Sequence, residues 1–143
     1  MSGLIQSPTQ MKTKRTKHSV YNLNYHIVLV TKYRHKVLTG DIETFVKGRL
    51  QEICDSYGWE LISEEVMPEH IHVFVSAPPK IAPLTIASTL KSIIAVDVFR
   101  AFPTLKKKRF WGSGLFSDGC YYGSAGSVSA ETIKKYIAEQ KLT

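Results

Sequence analysis

Hydrophobic and polar positions along this chain follow two periods, and their succession predicts the elements. Over residues 20–31 (VYNLNYHIVLVT) alternation passes into a continuous apolar run, the pattern of a strand covered on both faces. After Asp41, a candidate helix cap, Ile42, Phe45, Val46, Leu50, Ile53, Cys54 and Tyr57 recur at helical spacing, and Gly58 supplies a stop. Residues 59–66 read as a second strand and 70–76 (HIHVFVS) as a third. The short connection Met67-Pro68-Glu69 makes that pair antiparallel. Pro78, Pro79 and Pro83 then break the chain. A second helix follows with Ile86, Leu90, Ile93, Ile94, Val98 and Ala101 inward, and it ends before Pro103. The aromatic, glycine-rich stretch 110–126 holds a fourth strand around 115–122. A last helix begins near Ser129, with Glu131 in its first turn, and runs to about Gln140.

The order β-α-β-β-α-β-α predicts an α+β protein with a ferredoxin-like, split β-α-β sandwich. Its sheet is antiparallel, its helices lie on one face, and a further helix closes the C-terminus. The 143 residues suit a single domain over 19–143, with residues 1–18 as a basic, mobile N-terminal arm. No apolar run approaches the ~18 residues of a membrane span, and no signal-peptide core is present, so a cytoplasmic protein without membrane association is expected. Cys54 and Cys120 make no metal-spaced pair and read as free thiols.

Charge changes the picture. The formal net charge is +7, and residues 1–40 contain no Asp or Glu. Those residues hold Lys12, Lys14, Arg15, Lys17, Lys32, Arg34 and Lys36, so the whole excess lies there. A second basic run, Lys106-Lys107-Lys108-Arg109, precedes Phe110 and Trp111. Cations beside aromatics suit a phosphate backbone whose bases can stack. The plainer reading is a solvated arm and a solubilising loop. The two runs together favour a polyanionic partner.

In 70–76, alternation places His70, His72 and Phe74 on one side and Ile71, Val73 and Val75 on the other. The two imidazoles are then about 7 Å apart along the strand. Two such rings can share a divalent ion, or can simply be polar residues on a solvated sheet face. Tyr136 and Gln140, four apart, lie on one side of the last helix. They offer a phenol and an amide oxygen, or alternatively pack that helix onto the domain together with Ile133 and Ile137.

At this point the chain resembles a known family. Pro68-Glu69-His70-Ile71-His72 before an apolar strand is similar to the His-hydrophobe-His motif of HUH endonucleases. Residues 128–140 (VSAETIKKYIAEQ) resemble the tyrosine helix of the single-tyrosine HUH transposases, the transposase A proteins of the insertion-sequence 200/605 group. Asn24-Tyr25-His26-Ile27-Val28 running into Lys32-Tyr33-Arg34, and Trp111 before the Gly-rich strand, extend the likeness over about residues 18–141. Residues 1–10 match no feature of the family.

The resemblance implies an enzyme that cuts single-stranded DNA at the ends of a mobile element and rejoins it. Tyr136 would be the nucleophile, forming a 5′-phosphotyrosine link. His70, His72 and Gln140 would hold a divalent metal, Mg²⁺ or Mn²⁺. The resemblance further implies a homodimer that binds subterminal DNA hairpins and is nucleoid-associated when on DNA. Candidate DNA contacts are Lys14, Arg15, Lys17, Lys32, Tyr33, Arg34, Lys36, Lys106, Lys107, Lys108, Arg109 and Trp111, with Phe110 as a further stacking surface. Trp111 equally suits the core or a dimer seam. The glycine-bearing stretch 123–126 is a candidate flexible connection to the tyrosine helix, or a plain turn. Two other classes stay open: a non-catalytic, domesticated or regulatory binder of hairpin DNA or RNA, and a metal-dependent phosphodiesterase that uses water while Tyr136 is structural.

Overall fold

A computed structural model describes residues 23–110, 114–124 and 135–139, and the backbone of 14–15 and 20–21. Its centre is a four-stranded antiparallel sheet. β3 (Asn24–Val30) is flanked by β5 (His70–Ser76) and β6 (Tyr121–Ser124), and β4 (Glu60–Met67) pairs with the far side of β5. The order β4-β5-β3-β6 is the arrangement expected of a split β-α-β sandwich. α1 (Gly40–Tyr57) joins β3 to β4, and α2 (Pro83–Ala101) follows β5. A one-turn helix, Pro103–Leu105, continues into a wide helical turn, Lys106–Phe110.

Register decides which side chains share a face. Ile27 and Leu29 of β3 stand opposite Val73 and Ile71 of β5. With Val75 they are wholly buried against Val46 and Leu50 of α1 and Ile86, Leu90, Ile94 and Val98 of α2. The other side of the same strands presents His26, Val28 and Val30 opposite Phe74, His72 and His70. There Val28 and Val30 are covered by Tyr121, Tyr136 and Ile137. The apolar run read in β3 is therefore buried on both sides, by two helices on one and by a small cap on the other.

Several local expectations shift. The first strand does not run unbroken from residue 20. Val20–Tyr21 (β2) pairs with Lys14–Arg15 (β1) in a separate two-stranded ladder, so that a strand of the stretch 1–18 expected as an arm pairs with the start of the expected domain. Asp41 is not the cap of α1. Thr39 holds that position, Gly40 takes a left-handed φ of 56°, and Asp41 lies in the first turn beside Glu43, where the helix dipole favours carboxylates. Gly58 ends α1 as expected, at φ 74°, with its N–H on Asp55 O and the Trp59 N–H on Cys54 O. Tyr57 is not inward but half exposed, its ring stacked on Trp59. Ala101 is exposed as well. The fourth strand forms at 121–124, later than expected. Before it, Phe116 bridges to Thr31 just beyond β3, Ser117 donates from N and Oγ to the Val30 carbonyl, and the chain turns at Gly119, φ 76°. Lys91 of α2 pins that turn by donating to the carbonyls of Ser117 and Gly119 at 2.8 and 2.7 Å. The last helix is described at residues 135–138 only, so its start near Ser129 lies outside the described residues.

Candidate active site

The sheet face opposite α1 and α2 gathers the polar chemistry. His70 and His72 project from it as alternation requires, but their rings are not splayed along the strand. They lean together until the two Nε2 atoms are 3.1 Å apart, well inside the 7 Å or so that strand rise alone suggests. Each ring has a second partner. His70 Nδ1 donates to Glu69 Oε1 at 3.0 Å. His72 Nδ1 lies 2.9 Å from Nε2 of His26. Glu65, the register partner of His72 on β4, brings a carboxylate oxygen to 3.9 Å from His72 Nε2.

Burial sets the protonation states. Burial first, then the neighbouring His72, pulls the His26 pKa down from 6.5 to about 4, so this imidazole is neutral at pH 7. His72 is lowered too, by burial and then by His70, with Glu65 opposing. Neutral imidazoles are the form that binds a metal.

Tyr136 packs on this same side of the sheet in the same chain. It packs on Val28 and Val30, whose register partners are His72 and His70, and its ring centroid is 6.0 Å from that of Tyr121. Burial, reinforced by Cys120, raises its phenol pKa above the usual value, so the hydroxyl keeps its proton at neutral pH.

The donor set accommodates a divalent ion. Two nitrogens bound to one ion at about 2.1 Å, at close to a right angle, stand roughly 3 Å apart. The Nε2 pair meets that separation. Among the described residues, no three His, Cys, Asp or Glu side chains converge to hold an ion by themselves. Any further donor to the pair from the described residues is therefore of another kind. Gln140, expected in that role, lies outside the described residues.

A second constellation borders the first. Thr31, fully buried, donates from N and Oγ1 to the carbonyl of Glu69 and so ties the end of β3 to the residue before His70. From there the chain makes a tight turn in which Tyr33 and Arg34 both take left-handed φ values, 59° and 52°. Bulky residues seldom do so without cause, and such turns concentrate at functional sites. The turn presents Lys32, Tyr33, Arg34 and Lys36. His35 then reaches the buried Phe110, ring centroids 5.1 Å apart, and Phe110 closes the exposed run Lys106–Arg109. Two basic segments some seventy residues apart in sequence thus share one side of the molecule. Arg34 Nε is buried without a hydrogen-bond partner among the described residues. The side chains of Lys14 and Arg15, and all of Lys17, Trp111 and the Ala125–Gly126 part of the glycine-bearing connection, lie outside the described residues.

Sequence reading missed two members of the cluster. His26 shares parity with Val28 and Val30, but only the register against β5 brings it to His72. Glu69 stood in the recognised motif without a role. Among the described residues no helix is long and apolar enough to cross a membrane.

Comparison with known proteins identifies the family and supports the fold. The family model of IS200-like transposases matches residues 19–140. The chain is 35% identical over 130 residues to the ISDra2 transposase TnpA of Deinococcus radiodurans, covering 91% of this chain and 92% of that protein. It is 27% identical over 133 residues to the transposase for insertion sequence element IS200 of Salmonella typhimurium, covering 90% and 86%. A crystal structure of a Deinococcus radiodurans R1 protein described as a transposase superposes with TM-score 0.80 at 34% identity, over 91% of this chain and 99% of that one. A REP-associated tyrosine transposase bound to a REP hairpin shares the fold at TM-score 0.53 and 10% identity, over 90% and 70%. Element order, the paired histidines and these likenesses converge: the chain belongs to the IS200-like transposase family.

Proposed function

We propose that this protein cuts and rejoins single-stranded DNA at the ends of a mobile element, with Tyr136 as nucleophile. The observation that supports this most is the packing of Tyr136 on Val28 and Val30, the register partners of His72 and His70, whose Nε2 atoms face each other on the same side of the sheet. Tyr136 Oη attacks the scissile phosphorus. A phosphorus–oxygen bond to tyrosine forms, the bond to the 3′ oxygen breaks, and that oxygen leaves as a 3′ hydroxyl once protonated. The phenol proton passes to an acceptor. Reversal by a 3′ hydroxyl rejoins the strand without ATP, because the phosphotyrosine link conserves the phosphodiester energy.

His70, His72 and Gln140 would hold Mg²⁺ or Mn²⁺. Bound there, a divalent ion supplies positive charge to the non-bridging phosphate oxygens as negative charge grows on them. The chain's own residues do the rest. The apolar shelf of Val28 and Val30 orients the phenol. Glu69 orients His70. The turn Lys32–Arg34 with Lys36, and the run Lys106–Arg109, neutralise the DNA backbone. Tyr33 is the aromatic surface of that face, with Trp111 the further candidate; Phe110, expected as a stacking surface, is buried in the core against His35 and Phe99 and offers no ring to a base. The hairpin held by the REP-associated relative supports structured single-stranded DNA as the ligand. Joining two ends needs two nucleophiles, which supports a homodimer. Tyr136 packs on its own chain's histidine face, which supports attack within one subunit.

The test is incubation with single-stranded DNA that forms an imperfect hairpin, taken from the sequence flanking the gene, with Mn²⁺ or Mg²⁺. Cleavage is expected to be lost in Tyr136→Phe, His70→Ala and His72→Ala, while hairpin binding survives in all three. Cleavage that persists in Tyr136→Phe would move the chemistry to water. Binding with no cleavage by the wild-type protein would leave a non-catalytic hairpin binder.

A further inference from the structure

The fold buries a third imidazole that the proposed reaction leaves without a task. His26 on β3 is only 5% exposed. Its ring lies flat on Phe74, its register partner on β5, with centroids 4.3 Å apart and planes 10° apart. On the other flank its register partner is Gly123 of β6, which has no side chain to crowd it. The edge of Tyr121 closes the site at 6.3 Å. Held this way, His26 brings Nε2 to 2.9 Å from His72 Nδ1.

The four groups Glu69, His70, His72 and His26 form one hydrogen-bonded row. An ionised carboxylate only accepts, so His70 carries its hydrogen on Nδ1 and keeps a lone pair on Nε2. The rest of the row can run in two directions. In one, His26 donates to His72 Nδ1, and His72 Nε2 donates to His70 Nε2, so a hydrogen fills the 3.1 Å gap. In the other, His72 donates from Nδ1 to His26 Nε2, and both Nε2 lone pairs face the gap. Only the second leaves room for an ion. Each ring carries one hydrogen in either direction, so reversal changes no charge. A side chain able only to donate or only to accept would lock the row; a neutral imidazole does both.

Resting on the reading of His70 and His72 as ion-holding residues, we propose that His26 is a positioning residue: it receives the Nδ1 hydrogen bond of His72 when an ion enters the gap and returns one when the ion leaves. It thereby fixes the ring plane of His72 and the nitrogen that carries its hydrogen. Partners of metal-bound histidines typically change metal affinity by about 10–100-fold.

Mn²⁺ titration of the DNA-free protein, read by calorimetry or the loss of free-ion electron resonance, tests this without catalysis. His26→Phe keeps a flat ring against Phe74 and removes the partner, and is expected to weaken Mn²⁺ binding by about 10–100-fold. His26→Gln, whose amide can accept or donate, is expected to recover most of that loss. Unchanged affinity in His26→Phe, together with clear loss in His70→Ala, would overturn the role of His26 alone. Unchanged affinity in His70→Ala would instead overturn the ion site and this role with it. Should His26→Phe fail to fold, ¹⁵N resonance of the wild-type rings decides. The hydrogen of His72 is expected on Nε2 without ion and on Nδ1 with Mg²⁺, coupled across to His26 Nε2. A His72 ring whose hydrogen does not move on loading would contradict the proposal.

Discussion

The two faces of the central sheet are made by the same strands and obey different rules. On the helix face Ile27, Leu29, Ile71, Val73 and Val75 are wholly buried and carry no polar side-chain atom. On the other face the intervening residues include His26, His70 and His72, whose nitrogens find partners mostly in one another. One face derives its stability from area removed from water. The other buries polar groups that must be paired at short range, and so specifies geometry rather than stability. A strand of period two lets both properties coexist one residue apart.

Adjacent residues give the largest contrast. Ile71→Ala empties part of the main core and is expected to cost about 2–5 kcal/mol of folding stability, seen as a lowered denaturation midpoint. His72→Ala, its neighbour, is expected to cost only about 1 kcal/mol while removing DNA cleavage. Equal loss of stability in the two variants would mean that the faces are not divided in this way.

Acid should separate the faces less sharply. His26 and His72 have folded-state pKa values below their unfolded value of 6.5, that of His26 at about 4. Between those limits the unfolded chain binds more protons, so stability rises with pH. In metal-free buffer, stability is expected to be fully present above pH 6.5 and to fall as the pH drops toward 4. His26→Phe should flatten that fall. A pH-independent denaturation midpoint across the window would contradict the buried, neutral state of these rings.

The smallest contrast is between the thiols. Cys54 sits in the main core, fully buried, with its pKa pushed up to about 11 by burial. Cys120, just before β6, is only half-buried at the edge of that same core, where burial raises its pKa and Lys91 opposes the rise. Alkylation at pH 8 is expected to reach Cys120 at least about tenfold faster, a difference erased by denaturant. Equal native rates would show that the centre of the main core opens as readily as its edge.

Much of this was legible in the residues. Alternation in HIHVFVS placed both histidines on one side and the apolar residues on the other, because a strand's period leaves no freedom once one face is buried. Helix positions followed from spacing and from the stops at Gly58 and Pro103. The register between β3 and β5 was not legible, and with it went His26, which reaches His72 only diagonally across two strands. The 3.1 Å approach of the imidazoles was hidden for a related reason: strand rise fixes backbone spacing, whereas ring tilt depends on Glu69 and His26. Nor could charge counting show that His35 and Phe110 join the two basic runs, since that contact is made by the tertiary fold.

The most direct measurement is mass-spectrometric mapping of the covalent adduct formed with hairpin-bearing single-stranded DNA. The account expects one modified peptide, with 5′-phosphorylated DNA on Tyr136, formed only with a divalent ion and absent in His72→Ala. DNA attached to Tyr121 or Tyr122, or cut ends released with no adduct at all, would contradict it.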